Sequence, residues 1–327
     1  MNIGINGFGK VGQALLHRLS STEEIDVVAI NENLLSVTQA ATLLGSTASV
    51  TASGDLVYGQ KTIKWLPLSD HRKIGWDKYG IEVVVEASRL FLRREMAEQS
   101  ADGRITILMT GDLRDELPDL TLVLGLNDSE YRSNMSILCA GSDRTQALVP
   151  ILRAIHNLCG VKLFRACVHR PPYVGNCGHV QNRPTNAEQL ARVLPALMGC
   201  GEVTRVDDPE ATFVTIWLDT LVNAATDEHR VRAAMHEVAA SLPSAVLCSG
   251  ELPAPVSDPH SALIVSASIK TETVKVEDRD EHHVWLKLYY DPVASYAERI
   301  REQLLFLSQH RKMVGTRSHP PFPPTVR

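Results

Sequence analysis

Apolar and polar positions fall into short alternating blocks along the first half of the chain. Ile3 and Ile5 alternate with small or polar neighbours, the pattern of a short buried strand, and Val11, Ala14, Leu15 and Leu16 then take up a helical period. A second strand is predicted over 26–30, ending at Asn31 and Glu32, with a helix over 34–44 after it. Short strands follow at 56–58 and 62–64, a continuous apolar run at 81–85, a helix at 93–101, and buried strands at 105–109, 120–124 and 135–138. Strands alternating with helices predict an α/β fold with a parallel, doubly wound sheet. The second half reads differently. Long β-branched runs at 212–222, 263–276 and 283–290 surround one amphipathic helix at 227–241, the grouping of an α+β domain with a mostly antiparallel sheet. A last helix at 292–307 lines up Val293, Tyr296, Ile300, Leu304 and Leu305. From His310 the apolar period stops, and a mobile tail is expected.

Between the first strand and the first helix stand Gly7, Gly9 and Gly12, spaced G-x-G-x-x-G. In a strand-turn-helix these glycines serve different ends. Gly7 permits the tight turn, Gly9 lets a pyrophosphate approach the backbone, and Gly12 lets the helix lie close to the strand. The free N–H groups at the helix start then face the phosphates. Glu32, about twenty residues on, suits the two hydroxyls of an adenosine ribose. Together these predict a Rossmann-type dinucleotide-binding domain, although the same glycines also serve a purely structural turn.

Composition narrows the classes. The chain has 327 residues, 44% hydrophobic and 22% charged, enough for two ordinary globular domains. A net charge of −5 leaves no basic footprint for nucleic acid. No apolar run is long enough to span a membrane, and the immediate opening strand reads as a chain without a secretory leader. The six cysteines form no C-x-x-C pair, so neither a metal site nor a redox dithiol is predicted, and reduced thiols in a cytoplasmic protein are expected.

Several blocks carry a resemblance. Asn6-Gly7-Phe8-Gly9-Lys10-Val11-Gly12, Asn31-Glu32, Val84-Val85-Glu86-Ala87-Ser88, Gly125-Leu126-Asn127 with Tyr131, Leu148-Val149-Pro150 with Ile155-His156, Val193-Leu194-Pro195, Arg205-Val206, Asp258-Pro259-His260-Ser261 and Tyr290-Asp291 with Tyr296 are similar, in order, to the glyceraldehyde-3-phosphate dehydrogenases. The resemblance implies a dinucleotide-binding domain at 1–142 and a catalytic-type domain at 143–292. It further implies a C-terminal helix at 293–309 returning to the first domain, with the mobile tail at 310–327. NAD is the implied cofactor, with contacts from Asn6, Gly7, Phe8, Gly9, Lys10, Val11, Glu32, Ser88, Phe91 and Tyr296. Ser142, Thr185 and Arg205 are the implied substrate or anion contacts, and His169 the implied general base.

The family's chemistry depends on a cysteine at a helix start, activated by the histidine and the helix dipole, that attacks an aldehyde. Its motif is Ser-Cys-Thr-Thr-Asn-Cys-Leu-Ala-Pro, against Ser142-Asp143-Arg144-Thr145-Gln146-Ala147-Leu148-Val149-Pro150 in this chain. Asp143 thus stands at the nucleophile's place, and a carboxylate forms no thioester. Arg89 replaces a glycine and Pro292 an asparagine in the cofactor site; Pro172 and Val174 replace phosphate ligands, and the loop from His169 to Thr185 is shortened. Three readings remain open. The first is a non-catalytic binding or regulatory homologue, taking a small molecule or a protein partner that the sequence does not identify. The second is a divergent NAD-dependent oxidoreductase with His169 and Asp143 as an acid/base pair and Arg144 gripping an anion or pairing with Asp143. The third is the family reaction through another thiol, Cys139 or Cys177. NAD is expected over NADP, and a homo-oligomer, with a dimer favoured because the shortened loop is the one that fills the family's tetramer centre.

Overall fold

A computed structural model describes residues 1–88, 93–101, 105–111, 117–170, 186–208, 214–242, 266–276 and 279–315. The first half forms a sheet of β1 (Asn2–Asn6), β2 (Asp26–Asn31), β3 (Ala48–Val50), β4 (Leu56–Tyr58), β5 (Lys61–Leu66), β6 (Val83–Glu86), β7 (Thr106–Met109), β8 (Leu120–Thr121) and β9 (Ile137–Cys139). Their spatial order is β3-β4-β5-β2-β1-β6-β7-β9-β8, parallel from β5 to β8 and antiparallel only at the β3-β4-β5 edge. Helices α1 (Lys10–Leu19), α2 (Val37–Leu44) and α3 (Arg94–Ala101) flank it. Ile3, Ile5, Val83 and Val85 are fully buried in this core, which is why these strands read as apolar runs.

Two local differences from the sequence pattern have clear causes. The helix predicted from residue 34 begins at Val37, because Ser36 caps it and Gln39 returns the bond, a capping box. Leu34 lies outside it, 82% exposed, and its N–H donates instead to Glu32 Oε1 at 2.6 Å. The strand predicted over 120–124 ends after Thr121, since Asn127 takes over the ladder: its Oδ1 accepts from Val123 N at 2.9 Å and its Nδ2 donates to Thr121 O at 2.8 Å.

The second half is built from α4 (Asp143–Cys159), β10 (Val161–Arg170), α5 (Asn186–Val193), β11 (Gly201–Asp207), β12 (Val214–Val222), α6 (Glu228–Ala240), β13 (Ser266–Val276) and β14 (Arg279–Tyr290). The sheet order is β11-β10-β12-β14-β13, with β10 and β11 parallel and the other pairs antiparallel. Ala166, Val168, Ile216, Leu218, Leu286 and Leu288 point to one face, where they meet Leu148 and Ile151 of α4 and Val231 and Met235 of α6. The chain closes with α7 (Ala294–Gly315), which buries Tyr296, Ala297, Ile300, Leu304 and Leu307 in the first core, beside α1. This helix does not stop at 309, where the apolar period ends. Polar anchors carry it on: Arg311 Nη2 donates to Thr106 Oγ1 at 2.6 Å, and His310 packs on Phe306 with ring centroids 4.0 Å apart. Residues 316–327 lie outside the described part.

Candidate functional site: a glycine turn and two strand ends

The glycine turn is formed as its spacing predicts. Gly7 has φ +99°, and a Cβ there would come within 2.5 Å of the Ser88 backbone; a Cβ at Gly12 would meet Gly7 O at 2.3 Å. Neither position tolerates a side chain. Gly9 is the opposite case, with open space where a Cβ would point. It is also the N-cap of α1, and no side chain caps that helix, whose exposed start carries Lys10 with half-buried Val11 next to it. Phe8 is fully buried, edge-on to Trp65 at 5.4 Å, and holds the turn from below. Glu32 reaches across from the end of β2: its Oε2 accepts the Phe8 N–H at 2.8 Å and its Oε1 that of Leu34. Each oxygen keeps a lone pair for a further donor. An open glycine, an uncapped helix start and an anchored carboxylate are what a dinucleotide's pyrophosphate and ribose need, so the residues fit that cofactor.

Under the turn lies a buried polar network that sequence reading missed. Asn31 Nδ2 donates to Asn6 Oδ1 at 2.8 Å, Asn6 Nδ2 donates to Glu86 Oε2, and Ser88 donates to Glu86 Oε1 through both its N–H (2.8 Å) and its hydroxyl (2.5 Å). Asn6 therefore ties β1, β2 and β6 together at their C-terminal ends, and Ser88 holds the Glu86 carboxylate from just beyond β6. Burial pushes the Glu86 carboxyl up to about 7, against the pull of the Ser88 and Asn6 hydrogen bonds toward the charged form. Tyr296 plays a similar tying part, its hydroxyl donating toward Thr110 O and Gly141 O at 2.9 and 2.6 Å.

At the other end, Asp143 is the first residue of α4. Ser142 caps the helix, accepting the Thr145 N–H at 3.1 Å, and Arg144 Nε stands 3.8 Å from Asp143 Oδ1. Gln189, nearly fully buried and unpredicted, braces this start from α5: its Oε1 accepts from Ser142 N at 3.2 Å and from Thr145 Oγ1 at 2.5 Å. Cys139 is wholly buried behind the helix, its sulfur within 3.3 Å of Gly141 N and 3.7 Å of Gln189 Nε2. It does not present a thiol at the helix start.

His169 sits near the end of β10, and its ion partner is not Asp143 but Asp208, at 3.6 Å from Nδ1, with the Trp217 ring 5.6 Å away. Arg205 is engaged by Asp207, whose Oδ1 accepts from its Nε and Nη2 at 3.1 and 2.8 Å. Among the described residues, no group of three or more His, Cys, Asp or Glu side chains is placed to hold a metal. Phe91, Arg89, Pro172, Val174, Cys177 and Thr185 lie outside the described residues.

Comparison with known proteins bears on both ends. Residues 1–94 match the family described as glyceraldehyde 3-phosphate dehydrogenase, NAD binding domain. The chain is similar to glyceraldehyde-3-phosphate dehydrogenase 1 of Bacillus subtilis (strain 168), 26% identical over 337 residues that cover 94% of this chain and 98% of that protein. The cytosolic glyceraldehyde-3-phosphate dehydrogenase of Leishmania mexicana is also 26% identical, over 94% of this chain and 99% of its own length. That of Haemophilus influenzae is 29% identical over 69% of this chain and 74% of its own. With an NAD-binding-type domain at its N-terminus, the chain is similar along most of its length to the glyceraldehyde-3-phosphate dehydrogenases.

Proposed function

We propose that this protein binds NAD but does not carry out the phosphorylating oxidation of glyceraldehyde 3-phosphate, and that it serves as a non-catalytic binding or regulatory homologue. The observation that carries this reading is Asp143, a carboxylate at the first position of α4, with Arg144 beside it and the Cys139 thiol buried behind the helix. Bound NAD supplies a hydride acceptor. The chain's own part is to seat the pyrophosphate at Gly9 and the open start of α1, and to hold the adenosine ribose with Glu32. At the substrate end, the helix start is braced by Ser142 and Gln189, and the Cys139 thiol is buried. The test is NADH formation by the purified protein with glyceraldehyde 3-phosphate, NAD and phosphate. No turnover is expected, and a rate within the ordinary enzyme range of about 1–1000 per second refutes the reading.

One contact favours a second reading. A carboxylate beside an imidazole orients the ring and stabilises its cation, and His169 has such a neighbour in Asp208 at 3.6 Å. This pair suits a divergent NAD-dependent oxidoreductase that moves a hydride without a covalent intermediate.

The same reading includes a cytoplasmic homo-oligomer, most simply a dimer. The outward face of the second sheet supports self-association: Leu163, Trp217 and Trp285 are 53%, 53% and 41% exposed there. Arg165 lies directly opposite both Glu202 and Asp219, and Trp217 opposite Lys287, so the face mixes aromatic surface with both signs of charge. Light scattering should report twice the chain mass; a tight tetramer contradicts this part.

A further inference from the structure

Arg170 ends β10, and Asp207 is its register partner at the end of the parallel strand β11. Asp207 Oδ1 accepts from Arg170 Nε at 3.1 Å and, as described above, from two nitrogens of Arg205, so two guanidinium groups converge on a single carboxylate oxygen. The exposures are unequal. The arginine side chains are 28% and 20% exposed, whereas that of Asp207 is 54% exposed, so the cations are held by the fold and the anion stands in water. Further along the same two strands, Arg165 and Glu202 show an ordinary surface pair: one cation, one anion, 2.7 Å apart, 69% and 56% exposed. The neighbouring carboxylate, Asp208, is directed to His169, which leaves Asp207 as the acceptor shared by both arginines.

We infer that Asp207 determines which ligands this end of the sheet admits: it is a built-in anion filling a two-arginine clamp, so the site refuses phosphate esters, and the clamp formed by Arg170 and Arg205 takes a dianionic oxyanion once Asp207 is removed. The inference rests on the proposed reading of an altered substrate end and names what alters it. A guanidinium is a planar fork suited to two oxygens, and two forks sharing one carboxylate oxygen are under-supplied with acceptors. A phosphate group carries more charge and three acceptor oxygens, and so matches the pair better. Asp207 nonetheless wins because it is tethered two positions from Arg205, and its effective concentration exceeds that of any free anion.

The test is titration of the full chain with inorganic phosphate and with glycerol 3-phosphate at constant ionic strength, followed by calorimetry and phosphorus NMR. The wild type is expected to show no saturable binding. Asp207→Ala and Asp207→Asn are each expected to bind both probes at least about tenfold more tightly than the wild type, and Arg170→Ala added to Asp207→Ala is expected to abolish the gain. Wild-type binding as tight as that of the variants overturns the inference. So does the absence of a gain in both single variants, or its survival without Arg170. NAD titration of the same wild-type sample keeps the two proposals apart: loss of NAD binding counts against the proposed function and leaves the anion result standing.

Discussion

The two ends of the candidate site are built from the same materials, strand ends and a helix start, yet they are finished differently. At the first sheet the polar groups are internally satisfied from below and open above: Asn6, Asn31, Glu86 and Ser88 bond one another, while Gly9 at the start of α1 faces open space. At the second, the groups that would meet a substrate are already matched within the chain: Arg205 and Arg170 hold Asp207, His169 holds Asp208, and Asp143 has Arg144 beside it. A helix start left uncapped is a binding site in waiting, whereas a guanidinium given its own carboxylate is not. The contrast is what the proposed function rests on: a cofactor half left open and a substrate half whose polar groups are matched within the chain.

The largest effect expected of that contrast is in catalysis. Loss of a covalent nucleophile removes on the order of 7 kcal/mol or more of transition-state stabilisation. Asp143→Cys alone is expected not to restore NADH formation, because Arg205 stays engaged by Asp207 and the helix start stays braced by Gln189. A rescued activity in that variant would show the substrate half to be intact.

The glycines sharpen the other side. Gly12→Ala drives a Cβ to 2.3 Å from Gly7 O and is expected to cost about 3 kcal/mol or more in denaturant unfolding, together with NAD binding. Gly9→Ala meets nothing in the protein. Its stability cost should stay below about 1 kcal/mol, while NAD affinity falls by about tenfold or more, since only a bound pyrophosphate feels the new methyl group. Equal behaviour of the two variants would reduce the turn to a structural device.

A smaller effect belongs to Glu86. Its carboxyl, ordinarily near 4.5, is pushed up to about 7 in the fold by burial. Between those values the folded chain keeps a proton that the unfolded chain has released, so this contribution to stability is present at low pH and is lost as pH rises through about 7. The unfolding free energy should decline by about 2–3 kcal/mol across that window, and Glu86→Gln should flatten the slope. Smallest is the choice of cofactor. Glu32 has no basic residue in the next several positions to offset it, and NADP should bind about tenfold or more weakly than NAD, measured at fixed ionic strength.

Much of the first half is legible in the sequence because its signals are local. The apolar runs of β1 and β6 and the glycine spacing each need only their own neighbours to be read, and the structure forms all three as expected. The end of α7 escapes the pattern because Arg311 finds Thr106 across the fold, a contact without periodicity. The substrate end is hidden for the same reason. Nothing near His169 in sequence announces Asp208, and nothing near Ser142 announces Gln189; both partners arrive by tertiary packing of β11 and α5. The register of β10 on β11, which joins Arg170 to Asp207, is likewise set by the sheet and not by spacing along the chain.

The most direct test of the contrast is a two-stage calorimetric titration of the wild-type protein in phosphate buffer, with NAD added to saturation and glyceraldehyde 3-phosphate added afterwards while NADH absorbance is followed. The expected result is a saturable heat in the first stage, then neither a saturable heat nor NADH in the second. Absence of the first heat, or appearance of NADH after the second addition, contradicts it.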